Sequence, residues 1–278
     1  MPTMVATTTT ASGQLWGIVL AGAAAEPRRW RLPLAFRRRP GLQTAVERVS
    51  DLIPAPRLLT VLSRGADAEG VEPREVQRVV QPAYRGSAAE VFLPLLMILR
   101  QDPAATVVVF PVHGASRYEA GFLAAVGRAA DAVSTYPDLV VVIGMASPFP
   151  SALGWIEPGA PVSGLEHVGV RDVRRFVRRR RPVSALGAET DGLVNTGVVT
   201  ARADALLALG RRRLPDVVES LEPLVDVFGG PEEPLLREAV YEGMPYADLS
   251  HAFFGTDECL AVFPIRRVRT PLARASSA

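Results

Sequence analysis

The stretch Thr106-Val107-Val108-Val109-Phe110-Pro111-Val112-His113-Gly114 is a short β-branched run bounded by Asp102-Pro103 on one side and His113-Gly114 on the other. Such a run reads as a strand buried on both faces, and its place between two helical patterns predicts a central parallel strand. In an open α/β sheet, ligands gather beyond the carboxyl ends of the strands. The chemistry of this chain is therefore expected near Pro111 to Gly114.

Upstream of this strand, Leu15-Trp16-Gly17-Ile18-Val19-Leu20 reads as a first strand with Ala21-Gly22 as the turn beyond it. Helical spacing follows over residues 42–53 and a second strand over 57–62. A third strand ends at Gln81, and Pro82 to Gly86 marks a loop. Ser87 and Glu90 then have the spacing of a capping box that opens a helix through Leu99. Backbone N–H groups at that helix start, beside Arg85, suit an anionic or carbonyl-bearing ligand.

Downstream, helical spacing over 118–136 and a buried strand over 138–144 give a strand-helix-strand alternation, which implies a parallel sheet with right-handed crossovers. The composition of 146–169 shifts to Pro, Gly and Ser and predicts a loop-and-hairpin insertion. Residues 170–177 read as a strand, with apolar positions that fit either period, and run into Arg178-Arg179-Arg180-Arg181; a strand with a polar turn follows at 194–200. Helices then run through Gly243, and 260–265 is a last strand. The expected division is a tail over 1–14, one α/β domain over 15–265 and a basic tail over 266–278.

Composition narrows the function classes. At 278 residues and 48% hydrophobic content the chain is long enough for one large α/β domain. Every basic residue is arginine, so a mechanism that needs a lysine is closed. The single cysteine, Cys259, cannot staple the fold and fits a reducing compartment. No basic residue precedes Arg28, against a signal peptide, and the first apolar run is too short to span a bilayer. A cytoplasmic protein without membrane association is expected.

The segment 26–40 holds six arginines with Trp30 and Phe36 among them. Aromatics interleaved with arginines bind polyanions, but a solvated loop is the commoner meaning of such a run, and nucleic acid is not the expected partner. No Gly-x-Ser-x-Gly elbow, Cys-x-x-Cys pair or His-Glu-x-x-His helix points to hydrolase, redox or zinc chemistry.

Five stretches in order resemble the sugar-1-phosphate nucleotidyltransferases, particularly the mannose-1-phosphate guanylyltransferase-like group. They are Ile18-Val19-Leu20-Ala21-Gly22, Gln81-Pro82-Ala83-Tyr84-Arg85-Gly86-Ser87, Val109-Phe110-Pro111, Gly154-Trp155-Ile156-Glu157-Pro158-Gly159 and Asn195-Thr196-Gly197. The resemblance implies a Rossmann-like fold with a mainly parallel central sheet flanked by helices. It also implies transfer of a nucleotidyl group from a GTP-like triphosphate to a mannose-1-phosphate-like sugar, with magnesium and release of pyrophosphate. Leu20, Ala21 and Gly22 would then lie beneath the nucleotide, Gln81, Arg85, Gly86 and Ser87 near its base, and Gly154 and Asn195 against the sugar.

The departures fall where the chemistry belongs. The family's Gly-Gly-x-Gly-Thr-Arg loop is here Gly22-Ala23-Ala24-Ala25-Glu26-Pro27-Arg28. Alanine and proline restrict the backbone, proline removes a donor, and Glu26 repels phosphate. Arg28 or Arg29 is a candidate substitute for the missing arginine. The family's Pro-Lys-Gln segment has no counterpart before 42, and its Ser-Asp-His is Val112-His113-Gly114, which removes one expected magnesium carboxylate. His113 is thus a weak catalytic candidate, and it shares no ligand spacing with His167 or His251.

Arg178 to Arg181 replace the family's Glu-Lys-Pro acid, and the Trp-Ser-Asp element beyond 265, with the second magnesium carboxylate, is absent. No metal ligand set is assigned. Two readings stay open: a diverged nucleotidyltransferase with impaired activity, or an inactive paralogue that binds a nucleotide as a regulatory or scaffolding subunit. The second would partner an active paralogue or a further copy of itself. A carboxylate at Asp191 or Glu157 within reach of the strand ends would favour the first.

Overall fold

The computed structural model describes residues 15–22, 40–64, 73–113, 119–146, 154–177, 192–253 and 259–265. Both predicted tails, the arginine runs at 28–39 and 178–181, and the candidates Arg28, Arg29 and Asp191 lie outside the described residues. Nine strands form one sheet: β1 (Leu15–Leu20), β2 (Leu58–Ser63), β3 (Gln77–Gln81), β4 (Thr106–Pro111), β5 (Val140–Met145), β6 (Trp155–Pro161), β7 (Arg171–Val177), β8 (Leu193–Arg202) and β9 (Leu260–Ile265). The helices are α1 (Pro40–Val49), α2 (Ser87–Gln101), α3 (Ala120–Thr135), α4 (Ala203–Arg213), α5 (Pro215–Leu221) and α6 (Glu233–Gly243).

The strand order is β3-β2-β1-β4-β8-β5-β9-β7-β6. Strands β3, β2, β1 and β4 are mutually parallel, with Leu20 beside Val61 on one flank and Pro111 on the other. Their residues are apolar because both faces are covered, α2 on one side and α1 with α3 on the other. Along this half the carboxyl ends line up at one edge, at Leu20, Ser63, Gln81 and Pro111.

Beyond β4 the architecture departs from the expected Rossmann-like, mainly parallel sheet. Strand β8 lies antiparallel between β4 and β5, with Val109 opposite Val199 and Val142 opposite the same residue. Strand β5 pairs parallel with β9, which runs antiparallel to β7; β6 pairs antiparallel with both β7 and β8. The strands β8, β5, β9, β7 and β6 therefore close on one another as a mixed five-stranded barrel. Five of the nine strand pairings among the described residues are antiparallel.

The physical reason is the return path of the chain. The β4-α3-β5 alternation predicts parallel neighbours, but the β6–β7 hairpin over 155–177 follows β5, and β8 then lies between β4 and β5. A strand buried on both faces shows a continuous apolar run whichever way it points, so its sequence carries no direction. Eight of the ten β8 residues are buried.

The inserted strand is pinned beside a bulge where the β5–β8 register slips between Val142 and Gly144. There the buried Thr196 Oγ1 donates to Ile143 O at 2.7 Å and accepts from the Val198 N–H at 3.2 Å. Thr196→Val keeps the shape and strands both partners. A loss of about 1–3 kcal/mol is expected in urea unfolding, the cost of buried groups left unsatisfied.

Candidate functional site

At the carboxyl edge of the parallel half, four elements converge on a buried polar cluster. Alternation along β3 turns Gln77, Val79 and Gln81 to the face covered by α2, and Val79 packs there with Leu59 and Val61 of β2. Ser63 is the register partner of Gln81, and its Oγ donates to Gly22 O at 3.1 Å. Glu90, in the first turn of α2, is 2% exposed. Its carboxylate packs against Gly22 so closely that a Cβ there would fall 2.1 Å from Oε1.

Gln81 is fully buried, and neither Nε2 nor Oε1 has a hydrogen-bond partner among the described residues. A buried amide without partners costs about 1–3 kcal/mol, which makes it a feature in want of an explanation. The Tyr241 hydroxyl, from α6, is also buried without a partner among the described residues. Burial holds Tyr241 well above the ordinary phenol range, against a lowering by Arg237 and with a further rise from Glu90. Tyr84, on the loop after β3, is raised too, first by burial and then by Glu90, Tyr246 and Asp248. Both hydroxyls therefore stay protonated at neutral pH and remain donors.

Arg85, Gly86 and Ser87 form a clamp with the segment after α6. Arg85 donates from Nε to Tyr241 O at 2.7 Å and from Nη2 to Glu242 O at 3.1 Å, capping the carboxyl end of α6. The Ala247 N–H donates to Arg85 O at 3.1 Å, and the Ala88 N–H donates to Ala247 O at 3.0 Å. Gly86 sits between them at φ 90°. The Asp248 carboxylate lies 3.4 Å from both the N–H and the Oγ of Ser87, and the Leu249 N–H donates to Ser87 Oγ at 2.9 Å.

The expected capping box is not made. Gly86, not Ser87, is the residue that precedes the first helical turn, and no side chain caps it. Ser87 faces the 248–249 segment instead, and Glu90 points beneath the β1 turn. The open helix start expected to receive an anion is thus met by the chain's own Ala247 carbonyl and Asp248 carboxylate.

A second group lies farther along the same edge. The Asn195 N–H donates to Gly154 O at 3.0 Å, and Asn195 Oδ1 accepts from the Gly197 N–H at 2.9 Å. Asn195 is 4% exposed and Gly154 has φ 90°. Gln81 and Asn195 stand on strands four positions apart in the sheet, roughly 19 Å at the usual strand spacing. Between them, His113 is exposed just past the end of β4.

Among the described residues, no group of three or more His, Cys, Asp or Glu side chains lies close enough to hold a metal ion. Glu157 is on the β6–β7 hairpin, bonded by Arg175 Nη2 at 2.6 Å. His167 is exposed between β6 and β7, and the side chain of His251 lies outside the described residues. A shallow depression of about 250 Å³ opens outside β3 beside α6, but its arginines are engaged, Arg64 with Glu238 and Arg237 with Glu233. Among the described residues no helix is long and apolar enough to cross a membrane.

Two solved structures share this fold. One is described as mannose-1-phosphate geranyltransferase from Thermus thermophilus, with 22% identity, TM-score 0.70, and coverage of 91% of this chain and 74% of that one. The other is mannose-6-phosphate isomerase from Helicobacter pylori, with 16% identity, TM-score 0.64, and coverage of 90% of this chain and 97% of that one. At these identities the likeness establishes the fold alone. No protein-family model matches the sequence, and no curated protein matches it.

Proposed function

We propose that this chain is a nucleotidyltransferase-like protein that holds a nucleoside triphosphate and a sugar 1-phosphate along the carboxyl edge of the sheet and joins them slowly. The reaction is attack of the sugar-phosphate oxygen on the α-phosphorus with departure of pyrophosphate, a GTP-like donor and a mannose-1-phosphate-like acceptor being the reactants. The observation that carries the reading is the buried, unpartnered amide of Gln81, since a polar side chain kept at such a cost at the strand ends is suited to a ligand. The fold shared with two structures whose names each carry a mannose phosphate supports the sugar-phosphate class.

Slow transfer follows from this chain's own groups. In-line displacement of this kind depends on positioning and charge neutralisation. Here the Glu90 carboxylate sits directly under the turn that would face the triphosphate, and Arg85 is spent on the carbonyls of α6. Those two observations favour, as a second reading, a nucleotide-binding subunit without turnover that regulates or scaffolds an active paralogue.

Pyrophosphate release from GTP and mannose 1-phosphate separates the two. Time-dependent release that requires both reactants and magnesium is the result expected for the slow enzyme. Binding of GTP with no release would leave the regulatory subunit as the function.

A further inference from the structure

We propose that the open edge of the sheet, with α6 beside it, is the surface through which two copies of this chain pair about a two-fold axis. The barrel closes one end of the sheet, so among the described strands β3 alone is paired on one side only. An unpaired edge is a liability that folded proteins cover or blunt. Across this edge Arg237 Nη1 donates to Val80 O at 3.2 Å. That carbonyl is closed to an added strand, which leaves side chains to make the contact.

Two of the four large hydrophobic side chains that face solvent among the described residues stand here, Val80 at 43% and Leu235 at 79% exposed. The first turns of α6 put Pro234 and Arg237 on the side that lines the depression outside β3, with Val80 and Pro82 across from them. Leu235 stands on the flank of that side, next to Glu238 at the i, i+3 spacing. An apolar knob thus lies beside a depression whose apolar lining is Val80, Pro82 and Pro234. At about 250 Å³ that depression is smaller than the usual site for a small molecule and suits a single side chain.

A knob and a seat on the same face are what an isologous contact requires, since a two-fold axis between them places Leu235 of each copy in the depression of the other. The charges favour the same partner. Arg64 pairs with Glu238 and Arg237 with Glu233, so the rim carries two cations and two anions. A copy of this face meets it without net repulsion, whereas a strongly charged partner finds no complement there. An apolar centre inside a polar rim is also the anatomy of a protein contact. Nothing in this surface depends on the nucleotide.

The test is sedimentation equilibrium of the full chain for the wild type, Leu235→Met, Leu235→Ala and Val80→Arg. The wild type is expected to dimerise with a micromolar dissociation constant, as a contact of modest size gives. Leu235→Ala and Val80→Arg weaken the dimer about ten-fold or more. Leu235→Met stays within about two-fold of wild type, because methionine fills an apolar seat of the same volume. Both positions are exposed, so circular dichroism stays that of the wild type in all three variants. A wild type that remains monomeric throughout would overturn the proposal and leave the face to a different protein. A dimer unchanged by Leu235→Ala or by Val80→Arg would overturn it as well, since its contact would lie elsewhere. Weakening by Leu235→Met equal to that by Leu235→Ala would do the same, as a loss that does not depend on filling the depression.

Discussion

Gly86→Ala is expected to destabilise the protein by about 3 kcal/mol or more, the range for a side chain forced into a glycine-only conformation against fixed backbone. Gly86 has φ 90° and ψ 168°, where an L side chain is strained whatever the space around it. Here there is no space either, since a Cβ would lie 2.1 Å from Ala247 O and 2.6 Å from Ala247 C. Those atoms belong to backbone held at both of its polar groups, so relief requires breaking the bonds that tie 246–249 to α2. Urea unfolding, with the slope unchanged, measures the loss.

Gln81→Met is expected to act in the opposite direction on stability. Methionine matches the length and flexibility of glutamine and carries no group that needs a hydrogen bond. The nucleotide-free protein gains about 1 kcal/mol when the unpartnered amide is removed. For a chain of this size that corresponds to a rise of about 2 °C in Tm, readable by scanning calorimetry. A residue whose removal stabilises the empty protein is retained for another reason, and the expected companion effect is weaker nucleotide binding by about ten-fold or more, the cost of removing a buried hydrogen-bonding group from a ligand site. Stability and binding then move apart at a single position.

The strands whose neighbours are set by short-range pattern were legible in the sequence. Residues 15–20 and 260–265 read as strands with the bounds the structure has. The direction of β8 was not legible. Its residues face neighbours on both sides, and only the path of the chain through the β6–β7 hairpin decides that it runs antiparallel. That strand makes three of the five antiparallel pairings among the described residues and closes the barrel against β6.

The site shows the same division. Pro82 and Gly86 mark where β3 stops, at Gln81, whereas Gln81 and Gly22 enter the candidate site through the family resemblance. Ser87 and Glu90 have capping-box spacing, but long-range partners far along the chain, Asp248 for the one and Gly22 for the other, claim their side chains. Tyr241 and Tyr246 gave no signal, because nothing in a helical pattern near residue 240 records that α6 and the loop after it return to the start of α2. Arg85 looked like an anion ligand for the same reason that it caps α6: a guanidinium satisfies carbonyls and phosphates alike.

The central claim is that the buried amide at the end of β3 is kept for a nucleotide. Parallel calorimetric titrations of the wild type and Gln81→Met with GTP, alongside their melting temperatures, test it most directly. The expected result is GTP binding by the wild type, weaker binding by the variant by about ten-fold or more, and a variant Tm equal to or above that of the wild type. Equal affinity in the two proteins, or no binding by the wild type, would contradict it.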